Sequence, residues 1–266
     1  MLKVNHRSGS FWVDLDNDPY GEDFWKNIES RRYEPDTVGF LEDNLTSKST
    51  FMDIGAANGA MTIIAALLGS EVVSYEPDPT MFDVLKRNLE LNPVVKGKVT
   101  LSNSGISNKP STLEFSANAD STILSSIVVG TTKSKGQLVS IQGLPEEINR
   151  VHLDKTKKLV VKMDIEGAEW RILNDEHVLK SLKENHATVL LAVHPGFYRP
   201  HKKFFKGVDR LAITFWHLQN YLESLRTFSN IEKYGYIFRT NLNPVRSKHF
   251  FAILVLGGYH EFVLKF

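Results

Sequence analysis

Hydrophobic positions along the chain fall into short apolar runs separated by amphipathic stretches. Ser10 to Leu15 alternates around Phe11, Val13 and Leu15, which predicts a short strand, and DNDPYG at Asp16 to Gly21 closes it as a turn. Glu22 to Ser30 predicts a helix with Phe24, Trp25 and Ile28 on one face, and Thr37 to Asn44 a second helix capped by Asp36. Thr50 to Ile54 is an apolar strand, Ala60 to Leu68 carries helix-favouring alanines and leucines, and Ser70 to Tyr75 is a second strand. Thr80 to Leu91 follows as a helix with Phe82, Leu85 and Leu89 on one side.

The second half repeats the alternation less regularly. Lys98 to Ser102 and Thr112 to Phe115 read as strands. Residues 116 to 136 are polar and rich in Ser and Thr, a length uncommon for a loop without function, and are expected to form part of a lid over the acceptor. Gln137 to Ile148 reads as a strand and turn leading to a short acidic segment; Leu159 to Ile165 is a fourth core strand, Ala168 to Leu173 a helix and Ala187 to Val193 a fifth strand. Arg210 to Phe228 predicts a helix with Leu211, Phe215, Leu218, Leu222 and Leu225 inward, followed by strands at Tyr234 to Arg239 and His249 to Leu256. Strands and helices in alternation predict an α/β fold with a doubly wound, Rossmann-like sheet. Residues 1–35 are expected to form an N-terminal extension or lid, and 36–266 the main domain.

Composition narrows the classes. At 266 residues with 42% hydrophobic content the chain can bury one large core, and 32 Lys plus Arg against 31 Asp plus Glu leave no basic field for nucleic acid. The lack of cysteine excludes disulfides and thiolate chemistry and is compatible with a reducing, cytoplasmic location. The N-terminal residues lack the apolar run of a signal peptide, and no stretch is long and apolar enough to predict a membrane span. No nucleic-acid partner is expected from this charge balance.

The chemistry concentrates at Thr50 to Met61, TFMDIGAANGAM. Gly55 and Gly59 let the backbone approach a ligand, and the following helix presents its N-terminal N–H groups to an anion. Glu76 ends the next strand about twenty residues on, where a dinucleotide-type fold puts the carboxylate that accepts ribose hydroxyls. The pyrophosphate fingerprint wants three glycines, yet Gly55, Ala57 and Ala60 stand at those places, and Asp53 would repel a pyrophosphate while suiting an ammonium group. S-adenosylmethionine, with an amino acid at one end and adenosine at the other, satisfies both. Ala56, Asn58 and Pro77 belong to the same expected cofactor site, and Asn103 and Ser104, in the SNSGIS segment after the third strand, are placed near the adenine.

Alternation along the fourth strand puts Lys162, Asp164 and Glu166 on one side, three charges too costly to bury unless they pair or line a cavity. His194 closes the fifth strand and is the best general-base candidate. The basic and aromatic segment Gly196 to Gly207 is expected to form the acceptor wall, with Tyr198 and Arg199 as substrate contacts beside Glu166.

The runs DIGAANG, YEPDP, LKRNLELN and above all VKMDIEGAEWRIL at Val161 to Leu173 resemble the FkbM family of S-adenosylmethionine-dependent methyltransferases, over roughly Arg32 to His194. The resemblance implies a class I methyltransferase sheet of seven strands with the last antiparallel, and O-methylation of a hydroxyl on a sugar, glycolipid or secondary metabolite, with a small-molecule or glycan acceptor as the expected partner. Tyr33-Glu34 resembles a pair the family carries before its first core helix, which makes Glu34 a candidate for orienting the cofactor. His194 and Asp164 are the expected catalytic residues with Lys162 as electrostatic support, and no metal is expected. Two rivals are an RNA ribose 2′-O-methyltransferase, whose charged tetrad Lys162 and Asp164 partly resemble, and a non-catalytic cofactor-binding module.

Overall fold

The computed structural model describes residues 1–16, 18–115, 137–165, 169–193, 222, 225–240, 243–245 and 261–266. The chain opens with a hairpin, β1 (Leu2–His6) against β2 (Gly9–Val13), followed by α1 (Gly21–Glu29) and α2 (Pro35–Asn44). Then come β3 (Ser49–Ile54), α3 (Ala60–Leu67), β4 (Glu71–Tyr75), α4 (Pro79–Glu90), a short α5 (Pro93–Lys96) and β5 (Val99–Ser102). β6 (Gly105–Ser107), β7 (Ser111–Phe115) and β8 (Gln137–Gly143) form a separate three-stranded sheet. α6 (Leu144–Val151), β9 (Lys158–Met163), α7 (Glu169–Leu173), α8 (Glu176–Glu184) and β10 (Thr188–Ala192) lead to a helical stretch at 225–234, then β11 (Tyr236–Arg239), β12 (Pro244–Val245) and β13 (Glu261–Lys265).

The main sheet runs β12-β11-β13-β10-β9-β3-β4-β5, with β10, β9, β3, β4 and β5 mutually parallel and β13 antiparallel to both of its neighbours. Its central strands, β3, β4, β9, β10 and β13, are buried on both faces, as parallel sheets with helices on either side require. Met52, Val73, Val161, Leu191 and Leu264 pack under α6, α7, α8 and Phe228. Their neighbours in sequence, Phe51, Val72, Val160, Leu190 and Val263, pack under α1, α2, α3 and the N-terminal hairpin. One-residue alternation thus divides each strand between two cores, each fully buried large side chain contributing about 1.5–3 kcal/mol. The architecture is a doubly wound α/β fold. Among the described residues no helix is long and apolar enough to cross a membrane.

Several elements differ from the sequence expectation. Among the described residues the sheet has eight strands rather than seven, because Pro244–Val245 adds a two-residue edge against Ile237 and Phe238. The antiparallel strand is Glu261–Lys265; it seats Phe262 and Leu264 in the core, and the strand expected at His249 to Leu256 lies outside the described residues. α2 starts at Pro35 with Glu34 as its N-cap, not at Asp36, since proline with its fixed φ suits the first helical position. The acidic segment after β8 is a helix, α6, which buries Leu144 and Ile148. In the C-terminal helical stretch Leu222 is 56% exposed rather than inward; Leu211, Phe215 and Leu218 lie outside the described residues. The expected lid at 116–136 lies outside them too.

Candidate active site at the carboxyl edge of the sheet

β3 leaves the sheet at Gly55, whose φ of +82° lies in the left-handed region. A Cβ there would stand 2.0 Å from the backbone oxygen of Asp164, at the end of the adjacent β9. The absence of a side chain thus lets the two strand ends close on each other. Gly55 and Ala56 donate their N–H groups to the carbonyl of Tyr75 at 3.0 and 3.1 Å, which ties the turn to the end of β4. Gly59, with φ +88°, caps α3, and a Cβ there would meet Leu85 of α4 at 2.4 Å.

Glu76 is the hub of this turn. The Ala57 N–H donates to Oε2 and the Asp78 N–H to Oε1, each at 2.8 Å, holding the side chain beneath the loop. Burial pushes its carboxyl up to about 7, against the pull of these two backbone bonds. Asn103 braces the loop from outside, its Nδ2 donating to the Glu76 carbonyl at 2.8 Å.

Behind the turn, Asp53 is fully buried. Thr62 donates to Oδ2 at 2.7 Å, while among the described residues Oδ1 has no hydrogen-bond partner. Burial raises the Asp53 carboxyl, and the Lys162 ammonium opposes that rise. Asp53 and Lys162 sit side by side in the β3–β9 register, and Lys162 Nζ reaches Asp164 Oδ2 at 3.0 Å. Burial alone would depress Lys162, but Asp164, Asp53 and Glu34 outweigh it and hold the ammonium above its ordinary range. Lys162 is therefore charged at any working pH, which is what makes three carboxylates tolerable in one small volume.

These groups surround a cavity of about 280 Å³ at the carboxyl ends of β3, β4 and β9. Glu34, Asp53, Gly55, Ala56, Ala57, Asn58, Glu76, Pro77, Lys162 and Asp164 line it, so it gathers residues from four separate stretches of the chain. Gly59 stands behind the turn against Leu85. Asn103 and Ser104 do not line the cavity: Ser104 bonds Ser102 at 2.8 Å, and Gly105 and Ile106 supply that wall. His194, Glu166, Tyr198 and Arg199 lie outside the described residues. Among the described residues no group of three or more His, Cys, Asp or Glu is arranged to hold a metal ion.

One wall is built from aromatic side chains that the sequence reading does not single out. Tyr20, Phe24 and Tyr33 close the side of the cavity next to Glu34, with ring centroids 4.8 Å apart for Tyr20–Phe24 and 4.6 Å for Phe24–Tyr33. Phe24 has the helical spacing of a core residue, so only the packing reveals its second role. Asp18 anchors this wall by accepting from Trp25 Nε1 at 2.8 Å and from Asn58 Nδ2 at 3.4 Å, joining the N-terminal residues to the glycine turn.

Among solved structures, a methyltransferase FkbM from Methylobacillus flagellatus shares 15% identity over 96% of this chain and 62% of its own, with a TM-score of 0.40. A precorrin-6y C5,15-methyltransferase from Geobacter metallireducens shares 16% identity over 85% and 82% of the two chains, with a TM-score of 0.38. At such scores the likeness carries no weight of its own, and the chain spans less than two thirds of the Methylobacillus protein. No curated protein matches. The methyltransferase FkbM domain family model matches residues 53–238, a segment that holds the glycine turn, Glu76 and the Lys162–Asp164 pair, and the chain belongs to that family.

Proposed function

We propose that the chain is an S-adenosylmethionine-dependent O-methyltransferase acting on a hydroxyl of a sugar, glycolipid or secondary metabolite. The observation that carries this reading is Glu76, buried at the end of β4 with both oxygens oriented by backbone N–H groups and turned toward the cavity. A carboxylate so held suits two adjacent ribose hydroxyls. Asp53 Oδ1, without a hydrogen-bond partner among the described residues, suits an ammonium group, and Gly55 and Gly59 let the turn pack directly against Asp164 and Leu85 beside the cavity. The residues present therefore fit S-adenosylmethionine.

The sulfonium supplies an electrophilic methyl group, so the chain's own residues have to position the acceptor, exclude water and take up a proton. Residues 1–35 serve as the lid in this reading, since Tyr20, Phe24 and Tyr33 shield the cavity. Asp164, oriented by Lys162, is assigned to the acceptor side in this reading. His194, Glu166, Tyr198 and Arg199 keep the acceptor roles that the sequence suggests.

Two tests follow. S-adenosylmethionine should raise the melting temperature while NADH does not, and methyl groups should pass to a hydroxylated sugar or lipid. Stabilisation by NADH alone would overturn the reading, and salt-sensitive RNA affinity would favour the ribose methyltransferase. Transfer should also survive EDTA; loss with chelator and rescue by magnesium would contradict metal independence.

Cofactor binding should depend on pH through Glu76. Its folded pKa is raised to about 7, so protonation competes with ribose binding below that value. Affinity is expected to be about tenfold weaker at pH 6 than at pH 8, measured by calorimetry. For folding the sign is opposite: a raised carboxyl favours the native state at low pH, and that contribution is lost as pH rises through about 7.

A further inference from the structure

The site described above ends at Asp164, but a further ionisable group stands at the same edge and on the same face of the sheet. β13 opens at Glu261, directly across from Ala192, the last residue of β10. Leu191 is level with Met163 of β9, so the next residues along, Ala192 and Asp164, share a row with Glu261. Phe262 and Leu264 go to the opposite core, so Glu261 lies on the face shared by Val263 and Leu190. Two strand spacings of about 4.8 Å separate Glu261 from Asp164, with only the Ala192 methyl group between. Thr37, near the start of α2, donates to Glu261 Oε1 at 3.2 Å. Among the described residues Oε2 has no hydrogen-bond partner.

We propose that Glu261 is a further catalytic residue, the carboxylate that, in place of His194, receives the proton of the acceptor hydroxyl held between it and Asp164. This rests on the methyl-transfer reading. The acceptor oxygen forms its bond to the methyl carbon as the carbon–sulfur bond breaks, and the bonding pair stays with sulfur, which becomes neutral. The O–H proton passes to Glu261, so one positive and one negative charge are cancelled together.

The surroundings suit the task. Burial raises Glu261 to about 7, and Glu34 and Asp36 from α2 and Asp164 from β9 push the same way, while the Thr37 bond opposes them. β10 offers only Ala192 at this level. Lys162 is engaged by Asp164, and Arg239 of β11, paired with Phe262, belongs to the other face. A base that titrates near the working pH is the most effective one.

The test combines turnover with a readout that needs none. In Glu261→Gln, with the cofactor saturating at every pH so that Glu76 does not contribute, kcat/KM for the acceptor should fall by about 100-fold or more with the cofactor Kd unchanged, and the acidic limb of its pH profile should disappear. Thr37→Val should move that limb to higher pH. In carbon-13 spectra of the cofactor-free protein, the glutamate carboxyl signal that Glu261→Gln removes should titrate near neutrality. The proposal is overturned if Glu261→Gln keeps its turnover and its limb, if the limb vanishes in His194→Asn instead, or if the signal titrates in the ordinary carboxylate range. Failure of the wild-type protein to bind S-adenosylmethionine would sink the underlying reading, with the carboxyl titration still deciding the proton affinity of Glu261.

Discussion

Glu76→Ala should weaken S-adenosylmethionine binding by about 100-fold or more, because two hydrogen bonds to a charged acceptor contribute about 1.5–3 kcal/mol each. The same carboxylate clips the N–H groups of Ala57 and Asp78, so alanine also loosens the loop that forms the cavity wall. Glu76→Gln separates the two roles. Glutamine keeps one acceptor oxygen but presents an amide to the second backbone N–H, a loss offset by the relief of a buried charge. Its melting temperature without cofactor should therefore stay within about 3 °C of the parent, while its affinity still falls. Its binding should also lose the pH dependence between 6 and 8. Calorimetric titration of the three proteins at both pH values measures all of this. Equal affinity in all three would mean that the ribose lies elsewhere.

Gly55→Ala should be the most damaging single substitution in the turn. Its methyl group would stand 2.0 Å from a backbone oxygen, and backbone cannot swing aside as a side-chain tip can. The +82° φ adds the left-handed penalty of roughly 1–2 kcal/mol. Together these should cost about 3–5 kcal/mol, a large share of the stability of an ordinary domain. Thermal melting should drop by about 10 °C, and cofactor binding should be lost as the ends of β3 and β9 separate. Gly97→Ala is the matched control: that glycine has φ −68° and open space where the Cβ would go, so it should be nearly silent. A Gly55→Ala protein with parental melting and binding would show that the strand ends need no such closeness.

The parts of the site that follow from local spacing were legible in the sequence. A strand, a glycine turn, a helix and a second strand ending in an acid place Asp53, Gly55 and Glu76 relative to one another with no tertiary information. Lys162 and Asp164 were legible for a related reason, since two-residue alternation puts charges on a buried strand face where they have to pair. What depended on remote packing was not legible. Phe24 has the spacing of a core residue and acquires its place in the cavity wall only because α1 folds back beside the glycine turn. Leu2–His6 became a strand by pairing with Gly9–Val13, and α6 hid behind its acidic residues, although Glu147 is satisfied by Tyr75 and Arg150. Glu261 opens a strand that lies beyond the last one expected, at His249 to Leu256. The antiparallel register of β13 against β10 alone brings it level with Ala192.

The most direct measurement is a crystal structure with S-adenosylhomocysteine. The account predicts the ribose hydroxyls within hydrogen-bond distance of Glu76, the amino group at Asp53 and the sulfur turned toward Asp164. A ligand bound away from the β3–β4 edge, or with its ribose clear of Glu76, would contradict it.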